Sequence, residues 1–267
     1  MQINIDYMPN NIELAPSSES RSPLSRPIVV VNRELLIHST VKKHCHTWGQ
    51  FVYASRGVLA VATAENRYIV PPEQGVWVTP NTDHEVTAMS DVELTSFYFD
   101  NSILSGFPDN CCVLNVGAFF KALILESRSI NAGYEWSGAD GRLLRLIRDK
   151  LIVAIKIPLH LPYPKDFRLL AILTKLQLEP SNRNNLVQWG NIVGASARTL
   201  SRLFKNETGL TYSEWRQRFN IQVAITQLSS GETVSNISLN LGYESPSSFI
   251  YMFRKLTGVT PGFYSQK

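Results

Sequence analysis

The chain has 267 residues, 44% of them hydrophobic and 18% charged. That is enough apolar content to bury cores, and it excludes a disordered or fibrous polymer. The net charge of +4 is uneven: residues 1–164 hold 14 Lys/Arg against 16 Asp/Glu, and residues 165–267 hold 12 against 6. Such a split predicts a basic C-terminal module suited to a polyanion, beside a near-neutral module with another task.

Three cysteines cannot make a disulfide framework, and the N-terminus lacks the basic and apolar regions of a secretory signal. The apolar stretch around 143–161 is interrupted by Arg145, Arg148, Asp149, Lys150 and Lys156, which excludes a membrane span there. A cytoplasmic protein is expected.

Residues 1–27 are polar and broken by Pro9, Pro16, Pro23 and Pro27, and read as a tail with no core of its own. From Ile28 to Phe99 the apolar period is near two. Short strands are expected at 51–55, 58–63, 67–70, 76–79, 85–89 and 93–99, with turns at Arg56-Gly57, Glu65-Asn66, Pro71-Pro72 and Pro80-Asn81. This pattern predicts an all-β barrel or sandwich over 28–110. Segments 116–128 and 141–155 carry apolar residues three and four apart, which predicts two amphipathic helices within a helical segment, 111–157. Three prolines in 158–164 mark a linker, placed at 158–165. The rest, 166–267, reads as all helix. The fold class expected is therefore α+β: a barrel, a helical segment and an all-α domain.

An internal repeat carries the functional argument. Around Leu186, a helix-turn-helix is suggested by the small Gly190, the turn at Gly194, and inward Trp189, Val193, Ala195, Leu200 and Leu203. Ser196 is a suitable N-cap for a second helix, which Gly209 ends. That helix carries Arg198, Thr199, Ser201, Arg202 and Lys205 outward. Forty-eight residues later, Ser238 and Gly242 repeat the arrangement. Ile237, Leu241, Tyr243, Phe249 and Met252 face inward, and Ser247, Ser248, Tyr251 and Arg254 face out. A helix over 212–228 would span roughly 25 Å. It could hold two reading helices about one turn of DNA apart, near 34 Å.

The stretches ARTLSRLFKNETGLTYSEWRQ and GYESPSSFIYMFRKLTGVTPGFY resemble the C-terminal domain of the AraC/XylS family of bacterial transcription regulators. The resemblance covers about 100 residues and implies a seven-helix domain that binds promoter DNA and usually activates transcription, with RNA polymerase as a partner. It implies base reading by Arg198, Ser201 and Arg202 in the first unit and by Ser247, Ser248 and Tyr251 in the second. Arg202 could pair with guanine through two hydrogen bonds, while Lys205, Arg254 and Lys255 suit phosphates. Many relatives have Arg where Tyr251 stands. Gly190 and Ser238 replace the usual Ala, an exchange read as sterically allowed and only slightly helix-weakening.

HCHTWGQFVYASRGVLAV and VPPEQGVWVTPNTDHEV resemble the cupin-like sensor barrel of these regulators. His44 and His46, two apart, share a strand face; Gln50 and His84 complete a set that in enzymatic cupins, with Glu for Gln50, coordinates a divalent metal. Three readings stay open for the histidines: metal binding, an effector pocket without metal, and structural hydrogen bonding. Trp48, Phe51, Tyr53 and Trp77 read as core. Adjacent Cys111 and Cys112 read as small buried hydrophobes rather than a redox switch. The helical pair matches where relatives dimerise, so a homodimer is expected. The whole reads as a non-enzymatic regulator that couples an effector to promoter DNA. The rival readings are a metal-dependent cupin enzyme with a helical appendage and a regulator whose barrel only dimerises.

Overall fold

The structure, a computed structural model, describes residues 24–72, 74–157 and 160–264. Most of the expected tail, 1–23, and the start of the expected linker, 158–159, lie outside the described residues. The chain divides into two compact units, one comprising Met1–Thr63 and Tyr68–Pro158, the other Ala64–Arg67 and Leu159–Lys267.

The strands before residue 158 are β1 (Ile28–Leu35), β2 (Thr40–His44), β3 (Gly49–Arg56), β4 (Leu59–Thr63), β5 (Asn66–Val70, of which Tyr68–Val70 belong to the first unit), β6 (Gln74–Val78), β7 (His84–Ala88), β8 (Val92–Phe99), β9 (Cys112–Asn115) and β10 (Lys156–Ile157). One sheet runs β1-β8-β3-β6-β9-β10; β5, β4, β7 and β2 neighbour one another in the second. Alternation along the strands feeds two cores. On β3, Val52 and Ala54 join Val76, Val78 and Leu94 of their own sheet and Val61, Val70 and Val86 of the other. Phe51 and Tyr53, on the opposite face, join Trp77, Phe97 and Phe99 under two helices, α1 (Ala118–Ser127) and α2 (Ala139–Ile152). Those helices are held by Phe120, Ile124, Leu144, Ile147 and Leu151, which are 0–6% exposed. Each such side chain contributes roughly 1.5–3 kcal/mol on burial.

Two segments grouped with the helices by periodicity are strands: β9 extends the six-stranded sheet beside β6, and β10 pairs with β9 at Lys156↔Leu114 and Ile157↔Val113. Runs of four and two residues are too short for a period to register.

The second unit contains β11 (Leu161–Pro162), α3 (Phe167–Leu178), α4 (Leu186–Val193), α5 (Ala197–Thr208), α6 (Tyr212–Ser229), α7 (Val234–Asn240) and α8 (Pro246–Thr257), followed by a 3-10 turn at Pro261–Tyr264. Within it β11 pairs with Asn66 and Arg67. The implied seven helices are thus six α-helices and a terminal 3-10 turn among the described residues. Trp189, Leu200, Phe204, Trp215 and Phe219 form its main core with α3. Local chemistry starts each helix. Asn185 and Gln188 form a capping box on α4, Thr211 and Glu214 another on α6, and Ser196 and Ser245 cap α5 and α8. Gly194, with φ +69°, ends α4 in the left-handed region that glycine adopts without strain.

Candidate functional site

In the first unit, His44, His46 and His84 bring ligating nitrogens within 4.8 Å of one another. A bulge in β2 makes this possible. Val41 pairs with Val86 of β7 and points to the inter-sheet core, and the register shifts before His44 pairs with His84. Without that extra residue, Lys43 and Cys45 would take Val41's side of the strand. With it, His44 and His46 do, and Lys42, Lys43 and Cys45 are left exposed. Gln50 comes from the start of β3, on the same side as Val52.

All three rings are fixed in one tautomer by backbone carbonyls. Nδ1 of His44 donates to the Lys42 carbonyl, Nδ1 of His46 to the Trp48 carbonyl and Nδ1 of His84 to the Thr82 carbonyl, each at 2.8 Å. A neutral ring then carries its lone pair on Nε2. Gln50 Oε1 lies 3.1 Å from His46 Nε2 and 3.0 Å from His84 Nε2, while Gln50 Nε2 donates to Ser96 Oγ at 3.2 Å. Acceptors therefore converge on acceptors. A cation among them resolves the conflict, as does turning over the amide so that its NH2 meets both rings. A proton is poorly suited to that place near neutral pH, because burial pushes the His84 imidazole down to about 3 and lowers that of His46.

The donor set fits a divalent metal ion. Imidazole nitrogens and an amide oxygen sit about 2.0–2.2 Å from such ions. Two donors at that range are about 3.0 Å apart at right angles and about 3.4 Å apart at tetrahedral angles. The 3.0 and 3.1 Å from Gln50 Oε1 to His84 Nε2 and His46 Nε2 match right angles at those two pairs.

Sequence reasoning named His44, His46, Gln50 and His84, and the structure brings all four together. It missed the surrounding wall. Trp48, expected in the core, is 4% exposed and stacks on His46, with ring centroids 5.2 Å apart and an interplanar angle of 7°. Tyr98 meets both rings edge-on, and burial raises its phenol. Ser96 and Tyr98 stand at two-residue steps from the core residue Leu94, and that spacing is the signal that could have found them. Phe51, Tyr53 and Trp77 lie in the core beneath the helices. Cys111 and Cys112 are free thiols, and burial pushes that of Cys112 up to about 11, away from the reactive thiolate.

In the second unit, α4 and α5 are joined by the turn at Gly194, and α7 and α8 by a turn through Gly242 (φ +81°). Arg198, Ser201, Arg202 and Lys205 are all exposed on α5; their spacing of three, one and three residues puts them on one face. On α8, Ser247, Ser248, Tyr251, Arg254 and Lys255 are exposed, Tyr251 by 72%. Two of these have local partners. Lys205 Nζ donates to the Gly209 carbonyl at 3.0 Å, and Ser248 Oγ donates to the Ser245 carbonyl at 2.8 Å. Phe253, not anticipated as core, is fully buried beside Phe249 and Met252.

Gly190 sits at a close approach. A Cβ there would lie 2.2 Å from the Ala195 carbonyl oxygen, so in this chain the turn packs too tightly for alanine. Ser238, its counterpart, is fully buried and donates to the Ser235 carbonyl.

A family model described as "AraC-like ligand binding domain" matches residues 36–149, and one described as "Helix-turn-helix domain" matches residues 189–267. The chain is 29% identical over 221 residues to the HTH-type transcriptional regulator NimR of Escherichia coli K12, covering 83% of this chain and 81% of NimR. It is 34% identical over 105 residues to the HTH-type transcriptional regulator RipA of Corynebacterium glutamicum, spanning 39% of this chain and 31% of RipA. Among solved structures, ToxT of Vibrio cholerae aligns over 90% of this chain and 98% of its own, at 13% identity and a TM-score of 0.38.

Proposed function

From the premise that the chain belongs to the AraC family of transcriptional regulators, with a ligand-binding domain and a helix-turn-helix DNA-binding domain, we propose that it reads a specific promoter site with α5 and α8. The observation that carries this reading is the paired arrangement of polar, exposed helix faces, each backed by a buried apolar one. Arg198, Ser201 and Arg202 on α5, and Ser247, Ser248 and Tyr251 on α8, are the base-facing candidates. Arg254, Lys255 and Lys205 suit phosphates, Lys205 by exchanging its helix-end partner.

The barrel is assigned a sensing role without catalysis: His44, His46, His84 and Gln50 would hold a divalent ion, which supplies a Lewis-acidic centre for a ligand. The chain's own part is to hold three imidazoles in the ligating tautomer through the Lys42, Trp48 and Thr82 carbonyls. The helical pair is assigned to self-association. Phe119, Val153 and Ile155 expose 60–72% of their surface on or just after α1 and α2, apolar surface that a second copy would cover. No helix among the described residues is long and apolar enough to cross a membrane. The proposed setting is the cytoplasm, where the protein meets promoter DNA and RNA polymerase.

The test is selection of genomic fragments by purified full-length protein at about 150 mM salt, where attraction to phosphates alone is weak. Enrichment of discrete upstream sites is expected. Retention of genomic and random fragments alike would reject the reading.

A further inference from the structure

We propose that Gln50 sets the chemical class of the effector: by placing a neutral donor where a carboxylate would complete the ion site, it selects a small oxyanion as the molecule the barrel senses. This rests on the ion reading above and goes one step past it. The four donors are three imidazoles and an amide, all uncharged. The cluster contains no Asp, Glu or Cys among the described residues. Asp83, next in the chain to His84, is 54% exposed and ion-paired with Lys43 at 3.1 Å. A divalent ion held there would keep its whole charge beside His46 and His84, which are 7% and 0% exposed. Uncompensated charge in so buried a place is expensive, and an anion is the partner that reduces the cost.

Geometry agrees with charge. Gln50 Oε1 stands at right-angled spacing from His46 Nε2 and His84 Nε2, and an octahedral ion with four protein donors keeps two further positions, enough for both oxygens of a carboxylate. The wall also holds a donor in need of an acceptor: Trp48 Nε1–H is buried beside His46 and has no hydrogen-bond partner among the described residues. An oxyanion supplies such an acceptor, while His44, only partly buried, marks the side facing solvent.

The experiment loads full-length protein with Co2+, whose visible spectrum reports its coordination, and titrates acetate and oxalate against acetamide, a neutral mimic of acetate. The expected result is a spectral shift with both anions at concentrations at least tenfold below any response to acetamide. Gln50→Glu should retain cobalt and weaken anion binding at least tenfold, because the added carboxylate already supplies negative charge. Trp48→Phe should also retain cobalt and weaken anion binding severalfold. If cobalt binds but anions show no advantage, or Gln50→Glu leaves their affinity unchanged, the effector assignment is overturned and the ion site stands. If no cobalt binds, the ion reading itself falls and takes this inference with it.

Discussion

Gln50 Oε1 lies 3.0 Å from Nε2 of His84, an acceptor facing a ring nitrogen whose proton is on the far side, at Nδ1. The amide oxygen is thus aimed as a ligand would be. Exchanging it for a carboxylate keeps the shape and adds charge, so Gln50→Glu should bind Zn2+ or Co2+ at least about tenfold more tightly. Calorimetric titration against a competing chelator measures this. Equal or weaker affinity would show that the amide oxygen is no donor.

Gly190 packs its backbone against the Ala195 carbonyl, with no room for a methyl group. Gly190→Ala should destabilise the chain by about 1–3 kcal/mol, because the obstructing atom is main chain and cannot swing aside. A lowered urea midpoint followed by tryptophan fluorescence is the expected outcome. An unchanged midpoint would mean the turn relaxes freely.

Arg202 and Arg254 should fail in different ways. Arg202→Ala is expected to lose about 1–3 kcal/mol of binding to the specific site while the salt slope stays nearly constant. Arg254→Ala should weaken binding to all sequences and flatten the salt slope by about one. Fluorescence anisotropy across a salt series separates them, and matching behaviour of the two variants would refute the division between bases and phosphates.

The exposed apolar residues around α1 and α2 make a prediction about association. Phe119→Glu combined with Ile155→Glu should raise the dimer dissociation constant at least tenfold in sedimentation velocity, with the circular dichroism spectrum unaltered. Both side chains are largely exposed in the single chain, so folding should tolerate the change. A wild-type protein that sediments as a monomer at micromolar concentration would contradict the assignment.

Glu93 and Arg128, 3.0 Å apart, tie the end of α1 to β8. The hydrogen bond from Arg128 holds the Glu93 carboxyl below its ordinary range, aided by Ser55. The folded state then binds fewer protons than the unfolded one as pH falls. The pair's contribution is therefore complete above an unfolded glutamate's pKa of about 4.3 and is lost as pH drops through the lower folded value. Both groups are about a third exposed, so the effect should be about 0.5 kcal/mol. Urea midpoints between pH 3 and 7 should converge for wild type and Glu93→Gln at the acid end; a constant gap would exclude the ion pair as the cause.

What the sequence made legible follows the range of the forces involved. The helix-turn-helix units announce themselves because caps, turn glycines and apolar spacing act within a dozen residues. Ser196, Gly194 and Leu200 each take the place their chemistry predicts. His44 and His46 were visibly on one face, but their meeting with His84 depends on a bulge and on pairing forty residues away, which no local period encodes. That Gly190 has no room for a methyl group was not legible, because the obstacle is a carbonyl across the turn. The strands β9 and β10 escaped because their order comes from their neighbours in the sheet.

The 18-residue α6 has a consequence of its own. Trp215 and Phe219 anchor its first half in the core around α4 and α5, while Asn220 Nδ2 donates to the Tyr243 hydroxyl in the turn before α8. The helix therefore acts as a gauge block whose residue count is a machining tolerance. One inserted residue would advance the second reader by about 1.5 Å and rotate it by about 100° relative to the first. Such an insertion could leave every DNA contact residue in place and still disarm the protein, so α6 should tolerate exchanges of side chain far better than changes of length.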